Sequence, residues 1–163
     1  MSSKIPYKEF LADTTALLYL YSLQSRDLLV LILSKFKIHV STLSLTELFS
    51  FIYYKYHQYD TVSRLYEFIS RTHIVEPVDA TTALRASMII DDLIKHGQAF
   101  DLVDVFNVAV ASAKNIPILS IDADRYKQYS KYGVTSLDVR DLLSDFEAYL
   151  EKGSGQDDVI SRL

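Results

Sequence analysis

The sequence predicts one α/β domain, a three-layer α/β/α arrangement with a short, mostly parallel central sheet of about five strands. Five β-like segments of four to six residues recur along the chain with helical patterns between them, the signature of a parallel sheet covered on both faces. The length of 163 residues lies close to the prior of roughly 150 residues per domain. Hydrophobic residues at 49% and charged residues at 23% are ordinary globular usage, which excludes a wholly disordered chain.

The elements follow in order. Glu9 to Asp13 (EFLAD) is a short apolar strand ending in an acid, and Thr14 to Ser22 reads as a helix. Ser25 can cap a helix through Phe36, although the aliphatic run Leu28 to Leu33 alone fits helix or strand. Lys37 to Thr42 (KIHVST) is β-branched and strand-like. Helical patterns cover Ser44 to about Tyr56 and Tyr59 to Thr72; His73 to Val78 (HIVEPV) is the third strand. A helix from Asp79 to His96 stops at Gly97, and Asp101 to Asn115 is the next. Pro117 to Asp122 (PILSID) is a strand, Asp124 to Tyr132 a helix closed by Gly133, Val134 to Leu137 the last strand and Asp138 to Lys152 the last helix. The final eleven residues, GSGQDDVISRL, hold two of the four glycines and read as a flexible tail. The expected organisation is therefore a domain over 1–152 followed by a tail over 153–163.

Charge and composition narrow the function. The net charge of −4 has the wrong sign for a protein that grips phosphates by bulk electrostatics, so a nucleic-acid role requires a local site with divalent metal. The absence of cysteine excludes disulfide frameworks, thiol nucleophiles and Cys-rich zinc sites. No apolar run approaches the roughly 18 residues of a membrane span, and MSSKIPYKEF lacks a signal-peptide core, so a cytoplasmic protein without membrane contact is expected.

Four acids fall where a strand ends or the next helix begins: Asp13, Glu47, Asp104 and Asp122. In open parallel sheets, ligands bind in the crevice outside the carboxyl ends of the strands. Carboxylates converging there repel one another unless a cation sits between them, and hard oxygen donors suit Mg²⁺ or Mn²⁺. Each acid also has a purely structural reading. Ser44-Leu45-Thr46-Glu47 is a formal capping box, Asp101 can cap the helix that starts with Asp104 in its first turn, and Asp122 or Asp124 can cap the helix that follows. Asp13 is hardest to explain this way, because it stands between two apolar runs.

These blocks resemble the PIN-domain ribonucleases, and within them the VapC-type toxins of prokaryotic toxin–antitoxin pairs. F-L-A-D-T-T-A-L-L matches the opening block through Asp13, V-S-T-L-S-L-T-E-L the second through Glu47, and D-V-F-N-V-A-V-A-S-A-K-N-I-P-I-L the third through Asp104. Ser120-Ile121-Asp122 matches the start of the fourth, but Asp124-Arg125-Tyr126 carries an extra residue before the aromatic. Asp122 is therefore the first choice to complete the site and Asp124 the second. The resemblance spans about residues 9 to 140. It implies that Asp13, Glu47, Asp104 and Asp122 bind one or two Mg²⁺ or Mn²⁺ ions and direct water onto an RNA phosphodiester, with no nucleophilic side chain. Thr14 and Ser120 match polar positions that orient carboxylates or water, or are ordinary turn hydroxyls. The resemblance also implies a homodimer and a VapB-like antitoxin partner.

Other readings compete. A PIN-type RNA-processing nuclease without antitoxin shares the chemistry, and a catalytically inactive PIN-like module would only bind a partner. A haloacid-dehalogenase-like phosphatase needs Asp-x-Asp after the first strand, where this chain has Asp13-Thr14-Thr15. His39, His57, His73 and His96 lack metal-ligand spacing. The aromatic segment Phe49 to Tyr59 (FSFIYYKYHQY) suits a core or subunit interface better than stacking on bases. Arg125, Lys127 and Lys131 form a basic set that reads as a solvated helix face or as contacts to RNA phosphates.

Overall fold

The structure, a computed structural model, describes residues 6–23, 25–144 and 146. In chain order the elements are β1 (Glu9–Ala12), α1 (Thr14–Ser22), α2 (Arg26–Lys35), β2 (Lys37–Ser41), α3 (Thr42–Tyr56), α4 (Tyr59–Thr72), β3 (Ile74–Glu76), α5 (Ala80–Lys95), α6 (Leu102–Lys114), β4 (Ile118–Ser120), a 3-10 segment (Ala123–Tyr132) and β5 (Ser136–Asp138). Helical residues resume at 139. The expected tail, 153–163, lies outside the described residues, as does the end of the last expected helix.

All five strands run parallel, in the order β3-β2-β1-β4-β5. Side chains alternate across each strand, so each strand feeds both faces. Phe10, Ala12, Ile38, Val40 and Leu119 pack with α1 to α4 and with Val139 and Leu142 on one face. Leu11 and Ile118 pack with α5, α6 and the 3-10 segment on the other. Burial of each large apolar side chain such as Phe10 or Leu11 stabilises the fold by roughly 1.5–3 kcal/mol. The chain leaves β1 through one helical layer and returns to β4 through the other. Strand order therefore reverses between β1 and β4, and the crevice at their carboxyl ends is where such sheets bind ligands.

Local signals account for most boundaries. Ser25 caps α2 by accepting from Leu28 N–H at 3.2 Å, which resolves the aliphatic run as helix. Gly97 takes φ +64° just past α5, where a side chain would be strained.

Two expectations need correction. Helix α3 begins earlier than expected: Ser41 is its cap and accepts from the Ser44 amide at 3.1 Å, so the capping box between Ser44 and Glu47 does not form. The segment after β4 is 3-10 rather than α. Its tyrosines explain the tighter winding. Tyr126, Tyr129 and Tyr132 recur every third residue, the period at which 3-10 side chains eclipse. Their rings form one stack with centroids 6.1 and 6.4 Å apart, and Tyr126 and Tyr129 are buried.

Candidate active site

Asp13 is fully buried (0% exposed) at the junction of β1 and α1. Its two oxygens do different work. Oδ1 caps α1, accepting from Ala16 N–H at 2.8 Å and from the Thr15 hydroxyl at 2.7 Å. Oδ2 accepts from Arg125 Nη2 and from the Tyr126 hydroxyl, each at 3.2 Å. The carboxylate hardest to explain structurally is thus half structural.

Asp104 comes from the first turn of α6, whose cap Asp101 accepts from Val103 N–H at 2.8 Å and Asp104 N–H at 3.1 Å. Its Oδ1 accepts from Arg125 Nη2 at 2.7 Å and from Tyr126 OH at 2.9 Å. Burial pushes the Asp104 carboxyl above its ordinary range, and the Asp101 and Asp13 charges add to that. Arg125 and the Tyr126 hydroxyl oppose the rise without cancelling it. Asp13 and Asp104, 91 positions apart in sequence, therefore meet around one guanidinium nitrogen. Arg125 is the cation that the converging acids require.

That guanidinium is unevenly used. Nη2 takes both carboxylates, while Nε is buried and has no hydrogen-bond partner among the described residues. The Tyr126 phenol is pushed far up, first by burial and then by the Asp13 and Asp104 charges, so it is a donor to both acids.

Glu47 is exposed on α3 and accepts from the Thr14 hydroxyl, which ties it to the residue beside Asp13. Beneath it, buried Asn107 clasps α6 to α3. Its Oδ1 accepts from Ser41 Oγ at 2.7 Å and Ser44 Oγ at 3.2 Å, and its Nδ2 donates to Ser44 Oγ at 3.1 Å. The clasp therefore ties the helix that carries Asp104 to the helix that carries Glu47.

Ser120 is buried, and its hydroxyl accepts from Asp122 N–H at 3.1 Å and lies 3.3 Å from Thr15 Oγ1. Thr15 Oγ1 also accepts from Ile121 N–H at 3.2 Å, joining the ends of β1 and β4. Asp122 occupies the cap position of the 3-10 segment without a capping hydrogen bond, and its side chain is exposed. Asp124 is exposed and pairs with Lys127 at 2.8 Å.

Two acids thus meet directly, a third is tied to the same strand end through Thr14, and Asp122 stands at the rim. Among the described residues no three carboxylates or imidazoles converge closely enough to hold a metal by themselves. Asp13 and Asp104 approach one cation from two sides, and a two-carboxylate set suits Mg²⁺ or Mn²⁺, which take one or two protein carboxylates and fill the remaining positions with water and phosphate.

Thr15, Arg125, Tyr126 and Asn107 were not singled out from sequence as site residues. An Arg-Tyr pair directly after the fourth block is the signal that could have found two of them. Arg125 belongs neither to a solvated face nor to a free basic patch, and Lys131 pairs with Asp92 at 2.6 Å. The histidines lie elsewhere: His39 among Glu9 and Glu76, His73 against Tyr21, His57 and His96 at helix ends. In the aromatic segment Ile52 goes to the core, whereas Tyr54 and Tyr59 are 82% and 73% exposed, so a core use is excluded for both.

Comparison with known proteins gives a consistent picture. The family model described as the PIN domain matches residues 10–132. A curated VapC ribonuclease of Pyrococcus furiosus is 21% identical over 140 residues, covering 86% of this chain and 92% of its own length. Among solved structures, VapBC-1 from nontypeable Haemophilus influenzae superposes with a TM-score of 0.66 at 14% identity, covering 81% of this chain and 98% of that one. VapBC2 from Rickettsia felis, bound to a promoter DNA fragment, gives 0.64 at 16% identity, covering 80% and 98%. A sarcin–ricin-loop-cleaving toxin, VapC20 of Mycobacterium tuberculosis, gives 0.53 at 18% identity, covering 71% and 91%.

Proposed function

The chain belongs to the PIN-domain family, and on that premise we propose that it is a metal-dependent endoribonuclease, the toxin of a VapBC-type toxin–antitoxin pair. One observation carries the reading: Asp13 from the end of β1 and Asp104 from the start of α6 converge on a single cation at the strand-order reversal. The VapC ribonuclease relative, aligned over nearly its whole length, supports the choice of substrate class.

Asp13 and Asp104 would hold the ion, with Glu47 and Asp122 beside them and Asp124 as second choice to Asp122. When bound, Mg²⁺ or Mn²⁺ supplies activation of water and neutralisation of the charge that develops on the phosphoryl oxygens. The chain's own groups orient the ligands. Thr15 and the Ala16 amide fix Asp13 through Oδ1 and leave Oδ2 for the cation. Thr14 holds Glu47, and Ser120 anchors the turn that carries Asp122. No nucleophilic side chain is needed, consistent with a chain that has no cysteine.

The partners of this reading are an RNA substrate, a VapB-like antitoxin and a second copy in a homodimer. The domain would occupy 1–152 and act in the cytoplasm; among the described residues no helix is long and apolar enough to cross a membrane.

The test is cleavage of an end-labelled RNA with Mn²⁺, Mg²⁺ or EDTA, beside Asp13→Ala and Asp104→Asn. Metal-dependent cuts lost in both folded variants support the nuclease. A folded wild type that neither cuts RNA nor binds either metal would overturn it in favour of a partner-binding module.

A further inference from the structure

We propose that Arg125 competes with the metal: its guanidinium fills the place between Asp13 and Asp104 when no divalent ion is bound and vacates it when one binds. The inference rests on the metal-site reading above. It concerns a residue of this chain that neither the family match nor the acidic blocks assign.

Three observations converge on it. The first is position. Nη2 stands 3.2 Å from Asp13 Oδ2 and 2.7 Å from Asp104 Oδ1, between the two carboxylates assigned to the ion. An ion of the Mg²⁺ kind needs about 2.0–2.1 Å to each ligand, so it and the guanidinium nitrogen cannot both occupy the place between the carboxylates, and their like charges oppose co-occupancy.

The second is incomplete satisfaction. A guanidinium built as a permanent structural clamp uses several of its five donors, often as a bidentate fork. Arg125 engages the acids through one nitrogen and leaves Nε buried without a partner. Withdrawal forfeits three Nη2 contacts, to Asp13, to Asp104 and to the Tyr126 hydroxyl, and relieves an Nε that has no partner among the described residues.

The third is a way out. The Arg125 side chain is 35% exposed, whereas Tyr126 and Asp13 are almost wholly buried. The guanidinium can swing into solvent without moving the buried side chains of Tyr126 and Asp13. The need for such a cation follows from the same geometry. Two buried carboxylates brought together without one would repel, so Arg125 stabilises the metal-free protein and weakens metal binding by the same contacts.

The experiment uses full-length protein and Mn²⁺ alone, with free Mn²⁺ read by electron paramagnetic resonance and melting followed with and without the ion. Wild type, Arg125→Gln, Arg125→Ala and Asp104→Asn are compared. The expected result is about tenfold tighter Mn²⁺ binding in both Arg125 variants. Their melting temperature without metal should be lower and their stabilisation by Mn²⁺ larger than in wild type. Affinity equal to or weaker than wild type in folded Arg125 variants overturns the inference while leaving the metal site standing. Absence of Mn²⁺ binding in wild type and Arg125 variants alike overturns the metal-site reading and the inference with it. If neither Arg125 variant folds, phenylglyoxal labelling of wild-type Arg125 decides. A labelling rate that rises several-fold as Mn²⁺ saturates the protein supports displacement, and an unchanged rate overturns it.

Discussion

Two clusters of charge lie on the same face of the sheet, and they are built on opposite principles. Along β2 and its neighbours, Lys37, Glu9, His39, Glu76 and Lys114 form an alternating series. Lys37 meets Glu9 at 2.9 Å, His39 meets Glu9 at 3.1 Å and Glu76 at 2.6 Å, and Lys114 meets Glu76 at 3.1 Å. Two carboxylates are matched by two ammonium groups, with the imidazole between them. At the carboxyl ends of β1 and β4, by contrast, Asp13 and Asp104 share one nitrogen of Arg125, which leaves the cluster one negative charge in excess. Burial of charge occurs in both, so burial does not distinguish a site from a scaffold. The unbalanced charge does: it is what the proposed binding of a further cation would relieve.

The largest effect should separate the clusters by function. Asp104→Asn is expected to reduce RNA cleavage by more than about a hundredfold, since it removes a proposed ligand rather than a supporting group. It should not lower the melting temperature at neutral pH. The native carboxyl is raised by burial, so the folded state holds its proton more tightly than the unfolded chain, and stability is lost as pH rises past the unfolded value. Glu76→Gln should do the reverse, costing about 2 kcal/mol, or roughly 4–8 °C in melting temperature, with cleavage unchanged. A fall in cleavage for folded Glu76→Gln would break the comparison.

Acid should expose a third kind of buried group. His73 is held down to about 4 by burial, below its ordinary 6.5. The unfolded chain therefore takes up this proton first, and stability falls as pH drops from about 6.5 to 4, with no further loss below that. His73→Phe should remove on the order of 2 kcal/mol of that acid-dependent loss, measured by denaturant melts at the two pH values. A smaller effect is expected from Asn107→Ala, which leaves Ser41 and Ser44 without their shared partner. It should cost about 1–2 kcal/mol and reduce cleavage several-fold through loosened packing of α6 on α3, with the dependence on metal concentration shifted. The smallest belongs to Lys37→Ala. Its pair with Glu9 is open to solvent, and the melting temperature should not change measurably.

Much of this was legible in the chain. The strand positions, the helices that flank them and the helical caps at Ser25, Asp79 and Asp101 all follow from residues within a few positions of one another. So does the recurrence of an acid at the strand ends. Where local reading failed, a distant partner had intervened. Ser44 looked like a cap because Glu47 follows at capping-box spacing, yet its hydroxyl serves Asn107, 63 positions away. Asp124 to Tyr132 read simply as a helix, and the stack that Tyr126, Tyr129 and Tyr132 form beside α6 matches the three-residue period of a 3-10 segment.

The sequence by itself determined the element order, the α/β class and which acids fall at the mouth of the sheet, because hydrophobic period and capping chemistry are properties of contiguous residues. Only the tertiary structure decided that Asp13 and Asp104 meet, that Arg125 stands between them, and that Glu47 and Asp122 remain at the rim. Those outcomes depend on contacts such as that between Arg125 and Asp13, 112 positions apart. They are set by the strand order that closes the crevice, and no short stretch of sequence carries that order.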